Sequence, residues 1–188
     1  MKKLLCTLAC VTLAIAASAQ GIEGIGVHGG VGTDVQLGLG VGGGASILLP
    51  NSGRTPIEVG LDFYCSNTSV TTHSGTMNYA YTDDTVLSLF AVTADWLYSY
   101  EQGRKGIFYI AGIGAAGANV SWTHSSPQDT TYNDSGSYTG GGLLAVPGIG
   151  YAFGTGLELR LQLPILVVFG ETTLFSPMLN LVAGYRFP

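Results

Sequence analysis

The sequence predicts an all-β protein, specifically an eight-stranded antiparallel up-and-down β-barrel that spans a membrane. Three observations predict this fold: an export signal at the start, strict alternation of apolar and polar residues near the end, and a charged content of only 10%. Soluble domains carry about 25% charged residues, so the charges here are too few to cover an ordinary water-exposed surface. An exported chain with an apolar surface is typical of a membrane protein.

The first 19 residues have the parts of a removable secretory signal peptide. Lys2 and Lys3 precede an uncharged apolar run over 4–17, and the small residues 17–19 provide a cleavage site. The run is too short to cross a membrane as a helix. We therefore expect a signal peptide over 1–19 and a single barrel domain over 20–188.

Charge and cysteine content narrow the class of the mature chain. The two signal lysines leave five of the seven basic residues against 12 acidic ones, a formal net charge of −7 that argues against nucleic-acid binding. Only Cys65 remains, so no intrachain disulfide can form. After residue 19 no unbroken apolar run reaches about 18 residues, which excludes spanning helices. A chain without spanning helices can satisfy its backbone hydrogen bonds in lipid only by forming a closed sheet.

The clearest alternation lies in the final hairpin. From 157 to 169 every odd position is apolar, while Glu158, Arg160 and Gln162 occupy even positions, and the pattern returns over 176–187 with Arg186 at an even position. This is the two-residue period of a β-strand. In a membrane barrel the apolar face contacts lipid and encloses the charges, whereas in a soluble sandwich the two faces are reversed.

The rest of the chain divides into further strands separated by turns and loops. The predicted strands are 22–32, 35–49, 57–66, 86–98, 107–122, 143–153, 157–169 and 176–187. The predicted tight connections are Thr33-Asp34, 50–53, 101–106 and 154–156, and the longer or more polar ones are 67–85, 123–137 and 170–175. Apart from the first connection, which breaks the pattern by being very short, the lengths alternate as in outer-membrane barrels, which have short periplasmic turns and long extracellular loops.

The fourth and fifth strands are assigned a face by their polar residues. A carboxylate facing lipid is costly, so Asp95 is placed inward, which turns Trp96 and Tyr98 outward together with Phe90 and Val92. In the fifth strand the same reasoning places Asn119 and Ser121 inward and Phe108, Ile110 and Trp122 outward. The predicted interfacial aromatic girdle therefore consists of Trp96, Tyr98, Phe108 and Trp122.

Two prolines lie inside predicted strands. Pro147 and Pro164 each lack the N–H that a ladder bond requires, and a closed barrel has no free edge to accommodate them. We expect β-bulges at these points or strands shorter than drawn.

The interior of such a barrel has a predictable character. Eight strands leave a lumen that side chains can fill, so a water-filled pore is not expected. The inward charges Glu58, Asp62, Glu158, Arg160 and Arg186 are predicted to form a lumen polar network, with glycines over 38–44 giving these long side chains room. Unpaired charges in a dry interior are expensive, which favours the network over charges that sit at the rims in water.

The signal peptide, the eight alternating strands and the closing Leu181-Val182-Ala183-Gly184-Tyr185-Arg186-Phe187 resemble the small outer-membrane β-barrels of the OmpA-transmembrane-domain and OmpX kind. The resemblance implies the outer membrane of a Gram-negative bacterium, with membrane lipid and the barrel-insertion machinery as partners. It also implies a terminal insertion signal formed by Tyr185 and Phe187, although Pro188 follows here where the family usually ends on the aromatic residue.

Function is less determined than fold, because this architecture serves many roles. One hypothesis is a structural or surface-interaction barrel that binds an extracellular ligand through 67–85 and 123–137. Another is a narrow channel for small or hydrophobic solutes.

A remote third hypothesis is an enzyme. Some lipid A deacylases use a His-x-Ser pair with a Glu on a barrel's outer face, and His124, Ser126 and Glu171 could supply these groups. The interpretation of these three residues as ordinary polar loop residues is preferred, so no catalytic residue is predicted. The histidines at 28, 73 and 124 lack metal-ligand spacing, so no metal or cofactor is expected.

Overall fold

A computed structural model describes residues 22–34, 38–50, 55–73, 80–102, 104–126, 133–169 and 174–187. The predicted signal peptide lies outside these residues, as do Glu171 and Pro188. No helix in the described segments is long and apolar enough to cross a membrane.

The described residues form β-strands joined by short connections. The strands are β1 Gly24–Asp34, β2 Gly38–Leu49, β3 Ile57–His73, β4 Ala80–Tyr98, β5 Lys105–Ser125, β6 Asp134–Phe153, β7 Leu157–Gln162, β8 Ile165–Phe169 and β9 Leu174–Phe187. All pairings are antiparallel, and β9 pairs with β1 to close the sheet on itself. The predicted all-β antiparallel barrel is confirmed.

β7 and β8 are two parts of one strand. The pairs Gly148–Gln162 and Ala145–Ile165 on β6 share one register, although residues 163–164 separate the two parts. The pairing with β9 is equally continuous. The ring therefore has eight strands, as the alternation predicted.

The prolines interrupt this strand without displacing it, so the predicted bulges are wrong. Leu163 N donates to Pro147 O at 2.8 Å, and Met178 N donates to Pro164 O at 2.8 Å. In each pair the proline nitrogen carries no hydrogen to return the second bond. The two missing bonds lie on either side of 163–164, which explains the break in the ladder between β7 and β8.

The stagger of the ring follows from the register. Moving from Gly26 to its register partner on each next strand, through β2, β3, β4, β5, β6 and β8, leads to Ser176 on β9. Across the closing seam, however, Gly26 itself is the register partner of Arg186. The offset is ten residues. For eight strands with about 3.3 Å rise and about 4.8 Å spacing, this stagger corresponds to a tilt of about 40°. Such a tube is narrow enough for side chains to fill.

The two faces of the barrel differ as a membrane requires. In the final hairpin Leu159, Leu161 and Leu181 are 42 to 53% exposed, while Glu158, Arg160 and Arg186 are only 2 to 4% exposed. Other exposed outward side chains are Val31, Leu39, Val41, Leu61, Phe63, Phe90, Ile113 and Leu143. An apolar outside around a charged inside is the reverse of a soluble sandwich.

The two ends of the barrel are distinguished by their connections. The lower end carries the described ends of the chain, near residues 22 and 187, and the connections 50–56, 99–104 and 154–156. The upper end carries the connections 35–37, 74–79, 126–133 and 170–173. The upper connections of three, six, eight and four residues are on average no longer than the lower ones of seven, six and three, which contradicts the predicted asymmetry of loop lengths.

The asymmetry lies instead in strand length, because most of the predicted long loops are strands. β3 continues to His73 and β4 begins at Ala80, while β5 continues to Ser125 and β6 begins at Asp134. Thr33 and Asp34, predicted as a turn, belong to β1, and Phe175 already lies in β9. Serine and threonine pair across strands as well as in loops, so polar composition alone does not end a strand.

At the upper end four strands rise above the closed ring. In the described residues β2 pairs with β3 only as far as Ser66, and β8 pairs with β6 only from Gly141 onward. Residues 67–73, 80–86, 121–125 and 134–137 therefore continue as a four-stranded sheet, which we call the raised wall.

Candidate functional site: the lumen and the raised wall

The lumen is filled by apolar side chains at two levels with a polar layer between them. The lower apolar cluster comprises Leu48, Leu97, Tyr100, Phe108, Ile110 and Ala152. The upper one comprises Tyr64, Leu87, Leu89, Ala91, Ala116, Ala118, Leu144, Val146, Leu166, Val168 and Met178. Apolar side chains therefore lie both below and above the polar layer.

Four of the five predicted network residues meet in one buried ion cluster. Arg160 Nη2 lies 2.6 Å from Glu58 Oε2 and also contacts Glu158 Oε1. Arg186 Nη2 lies 3.0 Å from Glu58 Oε2 and 3.4 Å from Glu158 Oε1. Two cations and two anions alternate, so the cluster carries no net charge and each buried group faces opposite charge.

Aromatic rings of the lower apolar cluster support the two arginines. The guanidinium of Arg160 lies 5.8 Å from the centre of the Phe108 ring, and that of Arg186 lies 5.0 Å from the Tyr100 ring. The two rings pack edge to face at 5.2 Å. Tyr100 lies in the connection after β4, and burial there raises the pKa of its hydroxyl.

Asp62 belongs to a different cluster from the one predicted. Its Oδ1 lies 2.6 Å from His28 Nε2, and Thr93 Oγ1 donates to its Oδ2 at 3.3 Å. Asp95 faces the lumen as predicted and is 5% exposed, but its Oδ1 has no hydrogen-bond partner. His28, Asp62, Thr93 and Asp95 line a cavity of about 80 Å³, which is room for a few water molecules.

Glycines on the inner face give these side chains their space. A Cβ at Gly44 would lie 2.8 Å from both Asp62 Oδ1 and His28 Nε2. A Cβ at Gly150 would lie 2.6 Å from a ring carbon of Phe108. Real Cβ atoms do not approach so closely, so larger residues at these positions would displace the groups that fill the lumen.

The predicted faces of the fifth strand are wrong. Phe108 and Ile110 are 1% and 4% exposed and point into the lumen, whereas Ile107 and Tyr109 are 55% exposed and point outward. Asn119 lies on the same outward phase and accepts a hydrogen bond from Thr139 Oγ1 at 3.2 Å. The assumption that polar residues face inward fails here, because the upper part of the strand lies beyond the apolar band.

The aromatic girdle therefore has different members. Phe108 is inside the barrel, and Trp122 lies on the inner phase of β5 above the ring, while Trp96 and Tyr98 are outward as predicted. The outward aromatic residues near the lower end are Trp96, Tyr98, Tyr109, Tyr151, Phe153, Tyr185 and Phe187. Tyr185 and Phe187 pack edge to face at 4.8 Å. Once the inward and outward phase of β5 and β6 is known, the sequence alone identifies Tyr109 and Tyr151 as outward aromatic residues.

The inner face of the raised wall carries an exposed aromatic residue beside a polar row. Trp122 is 42% exposed, and its indole covers Gly136, where a Cβ would lie 2.7 Å from Cε2. Two residues further along β5, His124 Nδ1 contacts Asp83 Oδ1, and the pairing register places Asp134 on the other side of His124.

The arrangement that the deacylase hypothesis requires is not present in the described part of the chain. His124 lies on the inner phase of the wall rather than on the outer face. Ser126 is buried, and its backbone N–H donates to Asn133 Oδ1 at 3.0 Å. Glu171 and the side chain of His73 lie outside the described residues. Among the described residues no group of three or more His, Cys, Asp or Glu side chains could hold a metal ion.

No protein-family model and no curated protein matches the sequence. Solved structures match its fold, and the following two are among them. The N-terminal β-barrel domain of OprF from Pseudomonas aeruginosa is 14% identical, with 89% of this chain and 100% of that chain covered and a TM-score of 0.58. A major outer membrane protein from Thermus thermophilus is 13% identical, with 87% and 99% covered and a TM-score of 0.61.

At this level of identity the likeness concerns the fold. The fold agrees with the lipid-facing band of exposed apolar side chains and with the charges enclosed in the lumen. Because closure satisfies the backbone and the outer face suits acyl chains, the barrel is built to reside in a bilayer. The chain thus has the fold of the small eight-stranded outer-membrane β-barrels of the OmpA and OmpX type.

Proposed function

We propose that the chain is a surface-interaction barrel with a closed lumen, and that the raised wall binds a partner outside the membrane. The observation that carries the proposal is the continuation of β3 to β6 above the closed ring. A barrel that only filled a membrane would gain nothing from these extra strand residues. They expose backbone and side chains at the end of the barrel opposite to residues 22 and 187.

The edge of the wall supports this role. From Ser69 to His73, β3 has no described partner strand on its β2 side, and residues 69–73 contain no charged residue and no proline. Natural proteins usually protect such edges with lysine, proline or bulges, because an open edge can pair with another chain. An edge left open is suited to bind an extended segment of a partner by strand addition.

The interior supports an interaction role over the narrow-channel hypothesis. A conducting path would have to cross both apolar clusters and the ion cluster of Glu58, Glu158, Arg160 and Arg186. Separating these charges inside the tube would leave them unpaired, which is expensive. The lumen therefore acts as a packed core.

The test compares the wild-type chain with a variant whose β3–β4 hairpin is shortened. Residues 70–83 are replaced by Asn-Gly, which forms a two-residue turn between Ser69 and Asp84 and leaves the closed ring unchanged. Migration in unheated and boiled detergent gels reports whether both barrels fold. Adhesion of cells that display each barrel is then measured on immobilised host and matrix proteins.

We expect the shortened barrel to fold and to lose adhesion, while the wild-type barrel gives no steady current in a planar bilayer. Equal adhesion by both barrels would contradict the proposal. A steady open current from the wild-type barrel would favour the channel instead.

A further inference from the structure

The inner face of the raised wall carries exposed carboxylates and an exposed indole, both of which attract cations. We propose that this face binds an extended peptide segment with arginine or lysine at alternate positions. This inference rests on the proposed surface-interaction function and names the partner's chemistry. It follows from the distribution of charge along the barrel, from the exposed indole of Trp122 and from the spacing of the rows on the wall.

The upper end of the barrel carries acidic residues and no basic residues. No Lys or Arg occurs in 31–53, 61–98, 106–153 or 163–185, which together contain every upper connection. Arg160 and Arg186 are enclosed in the ion cluster, and the remaining basic residues after position 19 belong to lower connections or adjoin them. Asp83, Asp84 and Asp134 on the wall are exposed. A cation approaching from outside meets a field of one sign.

Trp122 provides a surface that a cation can contact. Its indole lies against Gly136 of β6, and no other residue type at that position would let the ring lie so close to the strand. The exposed part of the ring belongs to the inner phase of the wall. Cations, and arginine above all, are attracted to the face of an indole ring.

The acidic row lies one strand repeat above the indole. Trp122 and His124 are two residues apart on β5, and the register places Asp83 and Asp134 on either side of His124. His124 contacts Asp83 Oδ1, but more than half of the Asp83 side chain remains exposed. A guanidinium at this row can donate hydrogen bonds to carboxylate oxygens of the wall.

The spacing of these rows selects an extended segment. Residues i and i+2 of a strand lie about 6.6 Å apart on one face. A segment lying along β5 would place one cationic side chain at Trp122 and the next at the Asp83–Asp134 row. A second copy of this chain does not fit, because its wall carries the same negative charges and would be repelled.

The test uses the folded barrel in nanodiscs of phosphatidylcholine, whose zwitterionic head groups do not attract the peptide. A fluorescent peptide of five Arg-Ser repeats is titrated, and its anisotropy is recorded. Peptides of five Gln-Ser or five Glu-Ser repeats are the matched controls, and empty nanodiscs give the background. We expect saturable binding of the Arg-Ser peptide alone, and we expect it to weaken as salt is added.

Three variants locate the binding site. The double variant Asp83→Asn and Asp134→Asn should weaken binding about tenfold at low salt, because both carboxylates are removed. Trp122→Leu should weaken it about threefold to tenfold. Glu101→Gln, which removes an exposed carboxylate at the lower end, should leave the affinity unchanged. A second readout uses a Trp96→Phe background, in which Trp122 is the only indole and should change its emission as the peptide binds.

Several results would overturn the inference. If the Asp83→Asn and Asp134→Asn barrel binds as tightly as wild type, or if Glu101→Gln weakens binding equally, the wall is not the site. If no Arg-Ser binding occurs although the wild-type barrel adheres and the shortened one does not, the partner's charge is wrong while the proposed function stands. If adhesion is also unaffected by shortening the wall, both proposals fail together.

Discussion

Arg160 Nη2 lies 2.6 Å from Glu58 Oε2 although 102 positions separate the two residues in the sequence. β3 and β7 are four strands apart in a ring of eight, so this contact crosses the full width of the lumen. Glycines adjoin the ion cluster on the inner face. A Cβ at Gly184 would lie 3.2 Å from Glu158 Oε1, so a larger residue there would crowd the cluster.

Breaking this contact should destabilise the barrel strongly. Arg160→Ala leaves Glu58 and Glu158 with Arg186 as their remaining cationic partner in the cluster, and removing one partner of a buried pair costs about 3–5 kcal/mol. The free energy of unfolding in detergent, measured by urea titration with tryptophan fluorescence, should fall by this amount.

Arg104→Ala is the matched control for that experiment. Arg104 pairs with Glu101 in an exposed position, so its loss should cost at most about 1 kcal/mol. Equal effects of the two substitutions would show that the lumenal cluster does not hold the barrel together.

The space left by one glycine can be tested in the same way. Gly150→Ala places a Cβ against the Phe108 ring and should lower the free energy of unfolding by about 1–3 kcal/mol. Adding Phe108→Leu should recover part of the loss. Gly117→Ala is the control, because a Cβ at that outward glycine meets nothing within 4 Å. A destabilisation by Gly117→Ala as large as that by Gly150→Ala would refute the steric explanation.

The depth of the apolar band sets the cost of a charge on the outer face. Leu161→Arg places a cation among exposed leucines and should cost about 2–4 kcal/mol of folding free energy in lipid vesicles. Asn119→Arg lies on the outward phase of β5 in its upper part and should cost about 0–1 kcal/mol. A larger penalty at Asn119 than at Leu161 would place the lipid band elsewhere on the barrel.

The terminal aromatic pair is a candidate signal for assembly in cells. We propose that Phe187→Ala combined with Tyr185→Ala reduces the folded fraction recovered from the membrane several-fold, while refolding from urea into detergent changes little. Phe169→Ala is the control, since Phe169 is also an exposed outward aromatic residue but is remote from the terminus. The folded fraction is read from unheated gels, and an equal loss in the control would argue for a general role of aromatic residues.

The sequence predicts this fold well where one side of a strand faces lipid and is apolar while the other side faces the lumen and is polar. In β7 and β9 every second residue is apolar, and the structure has the same faces. The contrast disappears above the lipid band, so the upper parts of β3 to β6 resemble loops in composition. For the same reason the polarity of Asn119 wrongly predicts an inward side chain, and this error reverses the faces of Phe108 and Tyr109.

The partners inside the lumen depend on stagger, which the sequence does not encode locally. Glu58 and Asp62 are both inward residues of β3, yet one meets Arg160 and the other meets His28. Which of them reaches an arginine is determined by the ten-residue offset around the ring. That offset follows from the registers of all eight strands together.

The outer face of the barrel contacts lipid and the inner face does not. Oxygen concentrates in lipid, so its collisions with spin labels on single cysteines along β9, in a Cys65→Ser background, report which face each residue occupies. Labels at Leu179 and Leu181 should collide with oxygen frequently, and labels at Met178 and Val182 should not. The reverse pattern, or equal collision rates at all four positions, would show that the faces are not arranged in this way.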